Sequence, residues 1–154
     1  MDQKSRDAPP DRISFYVHGS PKGKGRPRFS RDIYGRVHTH TPPETAEFEA
    51  RVVTAYLEQG GAARQRPYYP KGVPLILVAE IYFSPPESAS KKKKLEMIAG
   101  EIRPTKRPDV DNVLKAIADS LNGLAYADDA QVVEMKASKQ YDAIEGVRVT
   151  VYPA

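Results

Sequence analysis

The stretch VPLILVAEIYF, Val73 to Phe83, is apolar at odd and even positions alike, with Glu80 the one exception. Successive side chains of a strand point to opposite faces, so a strand that is apolar on both rows belongs inside a sheet. We read it as a central strand covered on both faces. The chain must then supply strands for its two edges and layers for its two faces. The surrounding pattern offers both. Ile13, Phe15 and Val17 alternate with Ser14, Tyr16 and His18, the signature of a half-buried strand. Val133, Met135 and Ala137 alternate with polar residues, as do Val147, Val149 and Val151; these read as two terminal strands joined by a turn at Asp142 to Gly146.

Two longer segments read as helices. In Thr41–Gln59, Pro42 and Pro43 suit the entry, Phe48, Val52, Tyr56 and Leu57 recur on one face, and Gly60-Gly61 ends the run. In the second, Val110, Val113, Leu114, Ile117, Leu121 and Leu124 recur at helical spacing, with Asn122-Gly123 at the exit. Between them, SPKGKGRPRFSR reads as an irregular loop, RDIYGRVHTH as a small hairpin about Tyr34-Gly35, and Ser90 as the cap of a short helix ending at Gly100. The expected fold is α/β in the mixed α+β sense: one compact domain, one mixed sheet, two main helices. Residues 1–12 are expected to be a flexible tail and 13–154 the domain. With 154 residues the chain buries roughly 68–70% of its unfolded surface and needs no staples.

Charge narrows the function. The net charge is only +4. Between Ser20 and Arg36, however, Lys22, Lys24, Arg26, Arg28, Arg31 and Arg36 stand against Asp32, a net +5. Lys91 to Arg107 holds seven basic residues against Glu96 and Glu101, again +5, which leaves about −6 for the rest. Such segregation fits a phosphate-rich partner, and equally two solvated loops. The absence of cysteine excludes disulfides and thiolate metal sites. No apolar run reaches the ~18 residues of a membrane span, and the N-terminus has no secretory pattern; a cytoplasmic location with no membrane partner is expected.

The acidic residues gather in RPDVDNVLKAIADSLNGLAYADDAQVV, Arg107 to Val133. Pro108 places the helix start at or just after it, which makes Asp109 the N-cap and puts Asp111 in the first turn. Lys115 and Asp119 follow one and two turns below Asp111. Residues i and i+2 of a continuous helix point about 200° apart, so Asp109 converges with Asp111 only from the incoming loop. Asp128 and Asp129 join them if Leu124 to Tyr126 turn back beside the helix. Carboxylates ~5 Å apart repel by roughly 3 kcal/mol per pair at an effective dielectric of about 20, a cost that a cation offsets. All-oxygen donors select a hard ion, Mg²⁺ or Mn²⁺, able to activate water at a phosphodiester. The residues alone also permit a plainer reading: a cap, two solvated aspartates and a turn.

The run KRPDVDNVLKAIADSLNGLAYADDAQVV, together with GSPKGKGRPRFSR and SASKKKKLEMIAGE, resembles the RusA family of Holliday-junction resolvases. The three pieces cover about half the chain in the same order. The resemblance implies a RusA-like fold and a homodimeric, Mg²⁺-dependent endodeoxyribonuclease that nicks four-way DNA junctions symmetrically in recombination and repair. It makes Asp109, Asp111 and Asp129 the metal-binding carboxylates, with Asp128 an acidic neighbour, and Lys115 the basic residue essential to cleavage. Asn112 matches a supporting polar residue. Lys22, Lys24, Arg26, Arg28, Arg31, Lys106 and Arg107 are the expected DNA contacts. Mn²⁺ is expected to substitute for Mg²⁺, and no organic cofactor is expected.

Other features stay open. His38 and His40 share strand spacing. Glu80 is either an additional carboxylate near the metal or an acid paired with a basic residue. Phe29 and Tyr34 interleave the cations and either stack on splayed bases or anchor the loop to the core. A non-catalytic DNA-binding protein remains an alternative, as does a D-x-D enzyme of nucleotide-sugar chemistry, although the chain has no glycine-rich nucleotide loop. One chain carries one acidic constellation and two opposed cuts need two, so a C2 dimer is expected. Its contact would be a terminal strand edge or the exposed face of the Thr41–Gln59 helix.

Overall fold

The computed structural model describes residues 12–59 and 67–154. Of the expected tail, residues 1–12, all but Arg12 lies outside the described residues, as does Gly60-Gly61 as a helix stop. The order is β1 (Ile13–His18), β2 (Arg28–Arg31), β3 (Val37–His40), α1 (Pro43–Gln59), β4 (Leu75–Phe83), α2 (Lys91–Ile98), α3 (Val110–Leu121), a 3₁₀ turn (Asp129–Gln131), β5 (Val132–Tyr141) and β6 (Gly146–Pro153). The main sheet runs β1-β6-β4-β5, and β2 and β3 form a separate hairpin. The α/β class and the single mixed sheet with two main helices stand as expected.

β4 is central, between antiparallel β6 and parallel β5. It is not covered equally on both faces. Leu75, Leu77, Ala79, Ile81 and Phe83 are buried, whereas Ile76, Val78, Glu80 and Tyr82 are only half-buried. The buried row continues through Ile13, Phe15 and Val17 of β1 and Val147, Val149 and Val151 of β6. With α1 and α3 these form one core, in which each fully buried large side chain contributes about 1.5–3 kcal/mol. Phe15 meets Tyr56 edge-on at 5.7 Å, and the Tyr126 hydroxyl donates to the Ala118 carbonyl at 2.6 Å.

The two terminal strands are not a hairpin. β4 lies between them, so residues 142–145 step across its end, where the Asp142 amide donates to the Phe83 carbonyl at 2.9 Å. Alternation in the sequence reports which residues face the core and says nothing about which strand is the neighbour. β5 therefore becomes an edge, with Val133 63% and Met135 45% exposed rather than buried.

Other boundaries shift slightly. The cationic loop is irregular only to Pro27, since Arg28–Arg31 is the first hairpin strand. Leu57 and Val110 lie at the rims of their helices and are exposed, while Thr45 and Ala55 occupy the buried face of α1. Leu124 lies beyond α3 and packs against the core from the following turn. Ser90 caps α2 as expected, accepting from the Lys93 amide at 3.2 Å.

The outer edge of β1 is occupied by side chains of α1. The Gln59 amide group accepts from the Tyr16 N–H and donates to its carbonyl, both at 2.9 Å, standing in for a neighbouring strand. Arg51 donates to the His18 and Ser20 carbonyls at 2.7 and 2.8 Å. Edge groups satisfied in this way are unavailable to another chain. Among the described residues, no helix is long and apolar enough to cross a membrane.

Candidate functional site

Three segments converge at the start of α3. The loop Ser20–Arg26 lies over it, with the Lys24 amide donating to the Asn112 carbonyl at 2.9 Å. The approach requires glycine: a Cβ on Gly23 would lie 2.9 Å from the Asn112 Cβ and 3.4 Å from the Pro108 Cβ. From below, Lys139 of β5 donates to the Lys106 and Pro108 carbonyls at 2.5 and 3.2 Å, fastening the run that leads into α3. Between these walls lies a cleft of about 930 Å³, lined by Lys22, Lys24, Arg26, Lys106, Arg107, Asp109 and Asn112 among others.

Asp109 occupies the N-cap position, yet its side chain makes no capping hydrogen bond. Its exposed carboxylate is left to the cleft. Asp111 is exposed in the first turn, and Lys115 is exposed one turn on. Lys115 Nζ stands 3.9 Å from Asp119 Oδ2.

Lys24 departs from expectation. Its ammonium lies 2.6 Å from Glu49 Oε1 on α1 and 3.2 Å from Asp119 Oδ2 on α3. Burial opposes its charge, but the hydrogen bonds to Glu49 and Asp119 outweigh that and raise its pKa. Lys24 is therefore a clamp between loop and helices rather than a cation offered to DNA. Arg28 is 3.8 Å from Glu44, a loose surface pair. Lys22, Arg26, Arg31, Lys106 and Arg107 are exposed.

The second acidic pair sits on the 3₁₀ turn. Asp128 caps it, accepting from the Ala130 amide at 3.0 Å. Gln131, only 8% exposed, holds the turn in place: its Oε1 accepts from the Ala127 and Asp128 amides, and its Nε2 donates to the Pro70 and Val73 carbonyls. The D-x-x-Q spacing of Asp128 and Gln131 is a capping-box signal that sequence reading could have used. Nothing local marked Glu49 or Lys139, whose partners are distant in the chain.

Hydrogen bonding toward the neighbouring Asp128 carboxyl raises the pKa of Asp129, with burial and the charges of Asp128 and Asp119 adding to the effect and Lys115 opposing it. Asp128 is held low, first by the Ala130 amide and then by Asp129. These interactions put Asp129 alongside Lys115 and Asp119. Among the described residues, no group of three or more histidine or carboxylate side chains is arranged to hold a metal. The structure thus turns Asp129 toward α3, without gathering Asp109, Asp111 and Asp129 into one cluster.

Glu80 lies in register with Arg148 of β6 on the half-buried row of the sheet, which favours its reading as an acid beside a basic residue. His38 is engaged by Asp32 at 3.1 Å within the hairpin.

The family model described as Endodeoxyribonuclease RusA matches residues 18–152. The chain is also 39% identical over 143 residues to the uncharacterized protein YqaN of Bacillus subtilis (strain 168), covering 92% of this chain and 96% of that one. The matched region runs from the cationic loop through the cleft and both acidic pairs to the end of β6, and this chain belongs to the RusA endodeoxyribonuclease family.

Proposed function

We propose that this protein is a metal-dependent, structure-specific endodeoxyribonuclease that resolves four-way DNA junctions by paired symmetric nicks, acting in the cytoplasm in recombination and repair. Residues 13–154 form the nuclease unit. The observation that carries the reading is the cleft: exposed Lys22, Arg26, Lys106 and Arg107 surround the uncapped Asp109 in a chain of this family. The cations lining the cleft attract a phosphate backbone, and the Asp109 carboxylate among them repels it unless a cation intervenes.

The donor set suits a hard ion. Asp109, Asp111 and Asp129 offer exposed carboxylate oxygens, and a divalent cation beside Asp129 would offset the repulsion it feels from Asp128 and Asp119. Mg²⁺ keeps several waters, so a few protein carboxylates suffice. When bound, Mg²⁺ or Mn²⁺ lowers the pKa of water and offsets charge on the departing oxygen. The chain's own part is positional. Lys106, Arg107 and the loop cations hold the backbone. Lys115 brings a positive charge one turn below Asp111, and Asp119 orients it. Lys24 and Glu49 keep the loop closed over α3.

The protein acts as a C2 homodimer in this reading. The β1 edge is closed by Gln59 and Arg51, and the exposed face of α1 is rich in glutamate. The β5 edge is exposed from Val133 to Lys136, beyond the point where Arg103 caps the Lys139 carbonyl. With the two-fold axis through Met135, antiparallel pairing of two β5 strands sets Glu134 against the partner's Lys136. Opposite charges facing each other across strands favour that register.

The test is a labelled synthetic four-way junction incubated with and without Mg²⁺. Paired nicks on opposed strands are expected with metal and none without. The Asp109→Asn variant is expected to bind and not cut. Binding with no cleavage in Mg²⁺ or Mn²⁺ would establish the alternative, a non-catalytic DNA-binding protein.

A further inference from the structure

The β2–β3 hairpin packs on little of the protein. All eight of its strand residues are exposed, and among the described residues its strands pair only with each other. An isolated two-stranded hairpin is marginally stable in water, so one that projects in this way calls for a partner. Its composition indicates which one. The register puts Phe29, Arg31, Val37 and Thr39 on one face and Arg28, Ser30, His38 and His40 on the other. Phe29 is 71% and Val37 55% exposed, and at the tip Ile33 is 91% and Tyr34 76% exposed.

The tip contains Asp32, which would ordinarily repel DNA. Its carboxylate is instead turned inward. Oδ1 accepts from the Tyr34 and Arg36 amides at 2.9 and 3.0 Å, and Oδ2 meets Arg36 Nε at 2.8 Å and His38 Nε2 at 3.1 Å. The turn thereby neutralises its one acid and presents an aliphatic and an aromatic side chain between guanidinium groups. Arg36 also lies over the Tyr34 ring, 5.2 Å from its centroid. Apolar wedges flanked by arginine are how proteins unstack a base step while holding the phosphates on either side.

We propose that the β2–β3 hairpin is a DNA wedge: Ile33 and Tyr34 enter between base pairs, and Arg31 grips an adjacent phosphate while Arg36 keeps Asp32 neutral. Branched DNA is the favoured ligand, because its bases at the branch point are already poorly stacked and cost least to part. This rests on the nuclease reading for its substrate, though not for its test. A second copy of the chain is the competing occupant; the excess of cations over the single neutralised acid argues against it.

The experiment uses a synthetic four-way junction carrying 2-aminopurine beside the branch point, in Ca²⁺ to separate binding from cutting. The wild-type chain should raise the fluorescence several-fold. Ile33→Ser, at a position 91% exposed, should leave folding intact, abolish most of that rise and preserve the salt dependence of binding. Tyr34→Ser should act similarly. Ile33→Ser with a wild-type fluorescence rise overturns the wedge. So does a halved mass for Ile33→Ser by light scattering, which would make the hairpin a protein arm. Junction binding without unstacking by the wild type removes the wedge and leaves the nuclease reading, whereas unstacking without cleavage in Mg²⁺ does the reverse. Failure of the wild type to bind the junction overturns both.

Discussion

Lys22 and Lys24 are two residues apart in one cationic loop, and the structure gives them different work. Lys24→Gln tests this. Its ammonium lies between Glu49 at 2.6 Å and Asp119 at 3.2 Å, with the lysine side chain 25% exposed and the carboxylates 24% and 29% exposed. Fully exposed pairs contribute about 0.2–1 kcal/mol, and breaking a buried pair costs about 3–5. A quarter-exposed clamp with two partners falls between, and we expect a loss of about 1–2 kcal/mol on that scale. Part of the loss is the repulsion left between Glu49 and Asp119 once the cation is gone. For about 150 residues each kcal/mol moves Tm by roughly 2–4 °C, so melting should fall by about 2–8 °C. Lys24 loses its charge only above the usual lysine range, because its folded pKa is raised; the stabilisation is whole at neutral pH and disappears as pH climbs through that value. The second assay is a salt titration of duplex binding by fluorescence anisotropy. Lys22→Gln should reduce the log–log slope by about 0.9 with Tm unchanged, while Lys24→Gln should lower Tm and leave the slope alone. A slope reduced by Lys24→Gln at constant Tm would refute the clamp.

Asp111→Asn should abolish junction cleavage in Mg²⁺ while binding holds or tightens, since the exposed carboxylate it removes repels phosphate; gel assays of nicking and binding read both. Tyr126→Phe should cost about 1–2 kcal/mol in denaturant melts, because the fully buried hydroxyl bonds the Ala118 carbonyl at 2.6 Å and its loss orphans that acceptor. Glu134→Lys should convert the dimer to monomers by light scattering, and adding Lys136→Glu should restore it; a dimer untouched by the single charge reversal would exclude the β5 edge. The Asp32 carboxyl is held below its ordinary range, first by His38 and then by the Arg36 and Tyr34 contacts that outweigh its slight desolvation. Its contribution to the hairpin is therefore present above the ordinary carboxylate pKa and lost as pH falls through the lowered value, which amide shifts of Tyr34 and Arg36 in an NMR titration should follow.

Much of the architecture was legible because it is written in local periodicity. The period of α3, its start after Pro108 and its exit at Asn122-Gly123 depend on residues within a few positions of one another, and so do the Ser90 cap and the hairpin about Gly35. The position of β4 inside the sheet followed from apolar residues on both its rows. The candidate carboxylates and Lys115 were also plain, since their types and spacing are chain properties. Other matters depended on contacts between distant segments. Period two shows which residues share a face, so it could not reveal that β4 lies between β5 and β6 or that Val133 and Met135 would end at an open edge. A lysine in a basic loop has the same local signature whether it meets solvent or two carboxylates. Only the packing of α1 and α3 against that loop gave Lys24 its partners, Glu49 twenty-five residues away in the chain and Asp119 farther still. The same holds for the acidic groups. Their identity is local, but their separation depends on the return of the chain after Tyr126, and Gln131 ties that turn to the Pro70 and Val73 carbonyls rather than to the start of α3. Charge and periodicity are additive along a chain; the distance between two side chains is set by everything packed between them.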